Sequence, residues 1–299
     1  MLRSDGSSKV WQNQMRDLGA FARAATPFAG TLIQPEVAIV LPQSYQLSVA
    51  NGSAIDAQQT AVRVLYNYVR SQAYAVGEYQ PELLGTPKLI LLPSAYGLTD
   101  AAWAAIDLQV KDGATLLVTG PFLEDAHLHP TGRQSALGLP YTVAPLTLRD
   151  SLFHFPGGDE PLTYSGLKTT TLTRAQLPNG QDWAELPHGK GKILFAALPL
   201  ELNSNLRAVA DVYTYALKAA AIAPVYTTTL TDPGILICPT QFANATLYAL
   251  TSESNQTAVS FTDQRSGKSF TGTLSPGHAA LLLIGTDGTL QASYNWPEK

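Results

Sequence analysis

Apolar residues fall in short unbroken runs over the first two thirds of the chain and alternate with polar ones over the last third. "EVAIVLP" (36–42) is a continuous run rich in Val and Ile, the pattern of a strand covered on both faces. "KLILLP" (88–93) and "ATLLVTG" (114–120) repeat it. Between the first two runs, Val62, Leu65, Tyr66, Val69 and Ala73 recur at spacings of three and four, which predicts one helix within 56–75. Before the third, Thr99 is placed as an N-cap, Trp103, Ile106 and Val110 form the next helical stripe, and Gly113 is positioned to end it. This alternation of strand and helix predicts right-handed crossovers and a flavodoxin-like, three-layer α/β domain.

Residues 121–188 interrupt the rhythm with Pro, Gly and His, and with Thr-rich alternation such as "LKTTTLTRAQL" (167–177), which predicts a β insertion. "GKGKILFAALPLEL" (189–202) restores a turn and a buried strand. Leu206, Val209, Val212, Tyr213, Ala216 and Leu217 then predict a helix that closes the α/β unit. Beyond Pro224, "GILICPTQ", "ATLYALTSE", "TAVSFTDQ", "SFTGTLS", "AALLLIG" and "LQASYNW" read as short strands. The last two flank Thr286-Asp287-Gly288-Thr289, a hairpin signal, and the set predicts a small antiparallel β-sandwich. The expected organisation is a linker with a helix over 1–30, the α/β domain over 31–223 with its insertion at about 121–188, and the sandwich over 224–299.

Composition narrows the function classes. Hydrophobic residues make up 45% and charged residues 14%, yet no apolar stretch approaches the length of about 18–20 residues that crosses a bilayer, so membrane spanning is not expected. The 19 Lys and Arg are scattered against 23 Asp and Glu, so the basic footprint of a nucleic-acid surface is missing. Cys238 is the only cysteine, which leaves no internal disulfide and no cysteine zinc cluster, and its apolar setting predicts a small buried hydrophobe. Sequons stand at Asn51, Asn244 and Asn255. The polar opening "RSDGSSKVW" (3–11) is neither a secretory signal nor a buried strand.

Candidate chemistry is sparse. A nucleophile in such a domain belongs at the turn after a central strand, but Val118-Thr119-Gly120-Pro121 has no Cys there, and Ser94 in "LLPSAYG" lacks an oxyanion glycine pair. In "EDAHLHPTGR" (124–133), His127 and His129 share a face if extended and Asp125 or Glu124 stands beside them. These residues form a polar cluster at a strand's C-terminal edge and lack the further ligands of a specific metal motif. No phosphate-cradling glycine motif follows a predicted strand, and no cofactor or metal is called for. The 4 Trp and 13 Tyr are mostly expected in packing.

The order of these segments resembles the region downstream of the barrel in β-galactosidase-like glycoside hydrolases of family 42. "RSDGSSK" is similar to the hand-over from the barrel. "VAIVLP", "LILLPSAYGLTDAAWAAIDLQVKDGATLLVTGP", "EDAHLHPTGR" and "GKGKILFAALPLEL" are similar to the family's amidotransferase-related trimerisation domain, and "GILICPTQFANATLYALTSES" through "AALLLIGTDGTLQASY" to its small C-terminal β domain. The resemblance implies a non-catalytic accessory region that forms a homotrimer and partners a catalytic barrel. Glycoside cleavage uses two carboxylates on a (β/α)8 barrel of roughly 250 residues, and 36–299 is already assigned to other folds, so no catalytic residue carries over. The rival reading is a carbohydrate-binding protein that uses the 121–188 insertion at the strand C-termini.

Overall fold

The computed structural model describes residues 4–7, 9–28, 30–46, 53–147, 149–164, 172–178, 180–256 and 258–297. Asn51 and the 167–171 part of the Thr-rich run lie outside them, as do Arg3 and Ser8 of the opening stretch. The first helix, α1 (Val10–Ala25), belongs to a unit formed by Met1–Gln34 together with Pro224–Lys299, and Pro35–Ala223 form the second unit.

In the second unit the chain runs through β1 (Val37–Leu41), a single turn α2 (Gln43–Gln46), α3 (Ser53–Arg63), β2 (Tyr74–Gly77) and β3 (Leu89–Leu92). After a kink it continues through β4 (Tyr96–Leu98), α4 (Asp100–Asp112), β5 (Thr115–Thr119) and β6 (Phe122–Asp125). There follow α5 (Arg133–Ala136), β7 (Thr142–Pro145), the hairpin of β8 (Asp150–Phe155) and β9 (Gly158–Thr163), β10 (Thr173–Gln176), β11 (Trp183–His188), β12 (Gly191–Ala196) and α6 (Leu206–Ala219). The main sheet has the order β11-β12-β5-β3-β1-β2, parallel throughout except for the antiparallel edge strand β11.

Successive side chains of the central strands serve opposite faces. Val37, Ile39, Leu89, Leu91, Leu117 and Leu194 pack with α3 and α6, while Ala38, Val40, Ile90, Leu116, Val118 and Ile193 pack with α4. Burial on both sides explains why these strands read as unbroken apolar runs. In α4, Thr99 accepts from the Ala102 amide (3.2 Å) and Gly113 ends the helix at φ 132°, as its sequence predicts.

The expected helix over 56–75 is corrected. Regular α-helix stops at Arg63, one wide π-type turn (Val64–Val69) follows, and Arg70 at φ 59° ends it, leaving Ala73 at the entrance to β2. Its buried face is formed by Ala54, Ala57, Ala61, Val64 and Leu65, and Val62 is exposed. The stretch read as an insertion does carry β6 to β10, but its end, β11, pairs residue for residue with β12 in the main sheet.

In the first unit, β14 (Ile235–Gln241), β15 (Ala245–Ser252), β18 (Ala279–Gly285) and β19 (Leu290–Tyr294) form one antiparallel sheet. β13 (Tyr226–Thr227), β16 (Ala258–Asp263) and β17 (Ser269–Thr273) form the other. Tyr226, Phe261 and Val259 meet Ile237, Tyr248, Leu250 and Leu282 between them, which makes a sandwich. The predicted hairpin joins β18 to β19, closed by the Gly285 amide on the Thr289 carbonyl (2.9 Å) and by Asp287, which accepts from the Thr289 amide (2.9 Å). On the outer face of the four-stranded sheet, α1 buries Phe21 with Ala245 and Leu283. Cys238 alternates outward on β14 and is half-buried, short of the full burial its apolar neighbours suggest; that burial still pushes its thiol pKa up.

Candidate functional site

Open α/β sheets bind ligands beyond the carboxyl ends of their strands, so that edge is where chemistry is sought here. At the end of β3, Ser94 (φ 42°) and Tyr96 (φ 52°) turn the chain through the left-handed region and pass it into β4. At the end of β5, Gly120 (φ 73°) does the same, and a Cβ there would press on Pro199 at 3.3 Å. The two continuing strands, β4 and β6, pair in parallel. A nucleophile elbow needs strand, turn and helix. Strand, turn and strand stand here instead.

What the two kinks do is bring Ser94 and Thr119 onto one buried carboxyl. Glu201, in the single 3-10 turn after β12 (Leu200–Leu202), accepts at Oε2 from Ser94 Oγ (2.7 Å) and Thr119 Oγ1 (2.5 Å), and at Oε1 from the Tyr213 hydroxyl of α6 (2.7 Å). The Ser94 amide donates in turn to Thr119 Oγ1 (2.9 Å). All four residues are 1% exposed. Burial raises the Glu201 pKa above the ordinary carboxyl range, because three hydroxyl donors offset only part of the cost of taking a charge out of water. The same environment pushes the Tyr213 hydroxyl up. A carboxyl tied to three hydroxyls and closed to solvent is a poor general base. It fastens the ends of β3, β5 and the β12–α6 connection to each other.

A second buried carboxylate works the same edge. Glu78, 1% exposed, accepts from the Thr99 amide (2.8 Å) and from the Ser44 amide, holding the chain after β1 to the start of α4. Glu78 itself follows the edge strand β2, while its two partners come after β1 and β3, the neighbours between which the strand order reverses and ligands of such sheets commonly bind.

The predicted cluster of Asp125, His127 and His129 is present as a turn. Asp125 Oδ1 accepts from the backbone amides of His127 (2.8 Å) and His129 (2.9 Å), which is the local turn chemistry of an Asp side chain. Leu128 takes φ 65° at its tip. His129 Nδ1 lies 3.6 Å from Asp125 Oδ2 with its ring 75% exposed, and the two imidazoles are 6.1 Å apart. Those amide donors lower the Asp125 pKa. Among the described residues no group of three or more His, Cys, Asp and Glu converges to hold a metal ion. His188, isolated in sequence, meets Asp107 at 2.6 Å, and His154 meets Asp159 at 2.8 Å.

Glu201 and Tyr213 are the residues that sequence reasoning passes over. Glu201 stands in "ALPLEL", where one acid among apolar neighbours is the only available signal, and its hydroxyl partners are 107, 82 and 12 residues away.

No protein-family model matches the chain, and no curated protein sequence matches it. Solved structures do. The chain is similar to Gan42B, a GH42 β-galactosidase from G. stearothermophilus, with a TM-score of 0.68 and 13% identity, over 95% of this chain and 45% of that one. The β-galactosidase of Rahnella sp. R3 gives a TM-score of 0.66 and 13% identity over 95% and 46%. That of Bacillus circulans sp. alkalophilus gives 0.64 and 12% over 89% and 44%. The chain thus has the fold of part of these proteins and spans less than half of their length.

Proposed function

We propose that this chain is an accessory, non-catalytic region of a β-galactosidase-like glycoside hydrolase, built from a flavodoxin-like, amidotransferase-related domain and a C-terminal β-sandwich. The observation that carries the reading is the similarity over 95% of this chain and only 45% of the first β-galactosidase. The parallel strands support the finer description of the fold: taken in chain order, β2-β1-β3-β5-β12 follows the 2-1-3-4-5 order of flavodoxin-like sheets. The sealed edge agrees with a role without catalysis, since Ser94, Thr119 and Glu201 are spent on one another.

The role proposed for the α/β unit is self-association into a trimer that would support a catalytic barrel. Light scattering over a dilution series tests it, with a mass three times the 31.9 kDa of the chain as the expected result and a monomer at every concentration as the result that overturns it. Hydrolysis of a nitrophenyl β-galactoside by the purified chain would overturn the non-catalytic part of the reading.

A further inference from the structure

The β insertion carries an open groove of about 890 Å³, lined by Ser135, Tyr141, Thr142, Arg174, Gln176 and Gln181 among others. Its floor follows from the pairing of β7 with β10, where Thr142 faces Gln176 and Ala144 faces Arg174. Ala175, between the two polar residues of β10, is buried and its amide donates to the Ala197 carbonyl (2.8 Å), which fixes the ribbon to the carboxyl end of β12. With Ala175 turned inward, alternation puts Arg174 and Gln176 on the opposite face.

The lining selects a ligand chemistry. Arg174 donates to Asp182 (2.7 Å), so the guanidinium charge is matched and the groove offers no surplus positive charge to an anion. The rest of the polar lining is side-chain amides and hydroxyls, with Thr142 donating to Gln176 Oε1 (3.4 Å), and an amide or hydroxyl engaged once keeps further donor and acceptor positions. One wall is a rigid aromatic: Tyr141 stacks on Phe195 (5.1 Å, 15°), and its hydroxyl accepts from the Phe122 amide (2.8 Å). Vicinal hydroxyls of a sugar need such mixed, planar partners, and the volume falls within the range of about 300–1,000 Å³ usual for small-molecule sites.

The geometry points to this groove as a binding site for a neutral oligosaccharide. The site is independent of self-association, so a trimer that binds no sugar and a monomer that does separate the two readings. Only the choice of galactosides as probes rests on the proposed function. Titrating the full chain with lactose and with β-1,4-galactotetraose, followed by saturation-transfer NMR and calorimetry, is expected to give saturable binding in the millimolar range. Gln176→Ala and the double variant Gln176→Ala with Gln181→Ala are expected to weaken it by about tenfold or more with an unchanged melting temperature. Arg174→Ala serves as a second probe of the same face. No saturable binding at about 50 mM sugar, equal binding by wild type and both glutamine variants, or preference for galacturonate or sulfate over the neutral sugars would each overturn the assignment.

Discussion

Glu201 and Asp125 both accept several hydrogen bonds near the carboxyl edge of the α/β unit, yet their proton affinities move in opposite directions. Glu201 is 1% exposed and is met by three hydroxyls, and its pKa rises. Asp125, with a side chain 21% exposed, is met by two backbone amides, and its pKa falls. The number of donors therefore does not set the sign. Desolvation dominates where water is excluded, and amide dipoles dominate where water still reaches the carboxylate. The first site fastens distant strands together, whereas the second shapes one turn.

Removing the buried carboxyl breaks the comparison most severely. Glu201→Ala strands the hydroxyls of Ser94, Thr119 and Tyr213 and opens a cavity, and is expected to cost about 3–5 kcal/mol in urea denaturation. Thr119→Val or Ser94→Ala each takes away one donor and is expected to cost about 1–2 kcal/mol. Of the two, Thr119→Val should cost more, because Thr119 also holds the Ser94 amide.

The pH dependence sharpens the contrast. Folding raises the Glu201 pKa, so its contribution is complete below the ordinary carboxyl value of 4.5 and is lost as pH rises through the folded value. Glu201→Gln, neutral at every pH, is expected to lose less stability than the wild type as pH rises above 4.5. Parallel loss by both proteins would mean that the carboxyl is ionised in the fold. Asp125 has the reverse sign: its contribution is present above the ordinary value of 3.8 and is lost as pH falls through the lower folded value. Asp125→Ala is expected to speed hydrogen exchange at the His127 and His129 amides and to leave the rest of the unit unchanged. The smallest effect belongs to the rings themselves, with His127→Ala and His129→Ala changing stability by no more than about 0.5 kcal/mol.

The two sites also differ in how far the sequence discloses them. Asp125, His127 and His129 stand within five positions, so their proximity is visible in the chain, but nearness alone does not distinguish a turn from a ligand set. The Glu201 contacts exist only once the parallel crossovers have stacked β3, β5 and β12 side by side. The central strands were legible for a related reason: burial on both faces demands unbroken apolar runs such as "VAIVL" and "LILL". Strand β2 was not, because it is an edge strand with one fully buried residue, Val76, and its "YAVG" continues the helical spacing of the preceding segment. The wide turn over Val64–Val69 that ends that helix carries no Pro or Gly to announce it.

The placement of α1 has a consequence for synthesis. Phe21 finds its partners at Ala245 and Leu283, so during translation the helix emerges more than two hundred residues before the strands that cover it. At about 5–20 residues per second, the ribosome leaves that aromatic face waiting for about ten seconds or longer while the whole α/β unit is made. A helix kept waiting so long is open to capture by the finished sandwich of a neighbouring nascent copy. The order of manufacture thus offers a route to exchange between chains that the finished fold, with Phe21 covered, conceals.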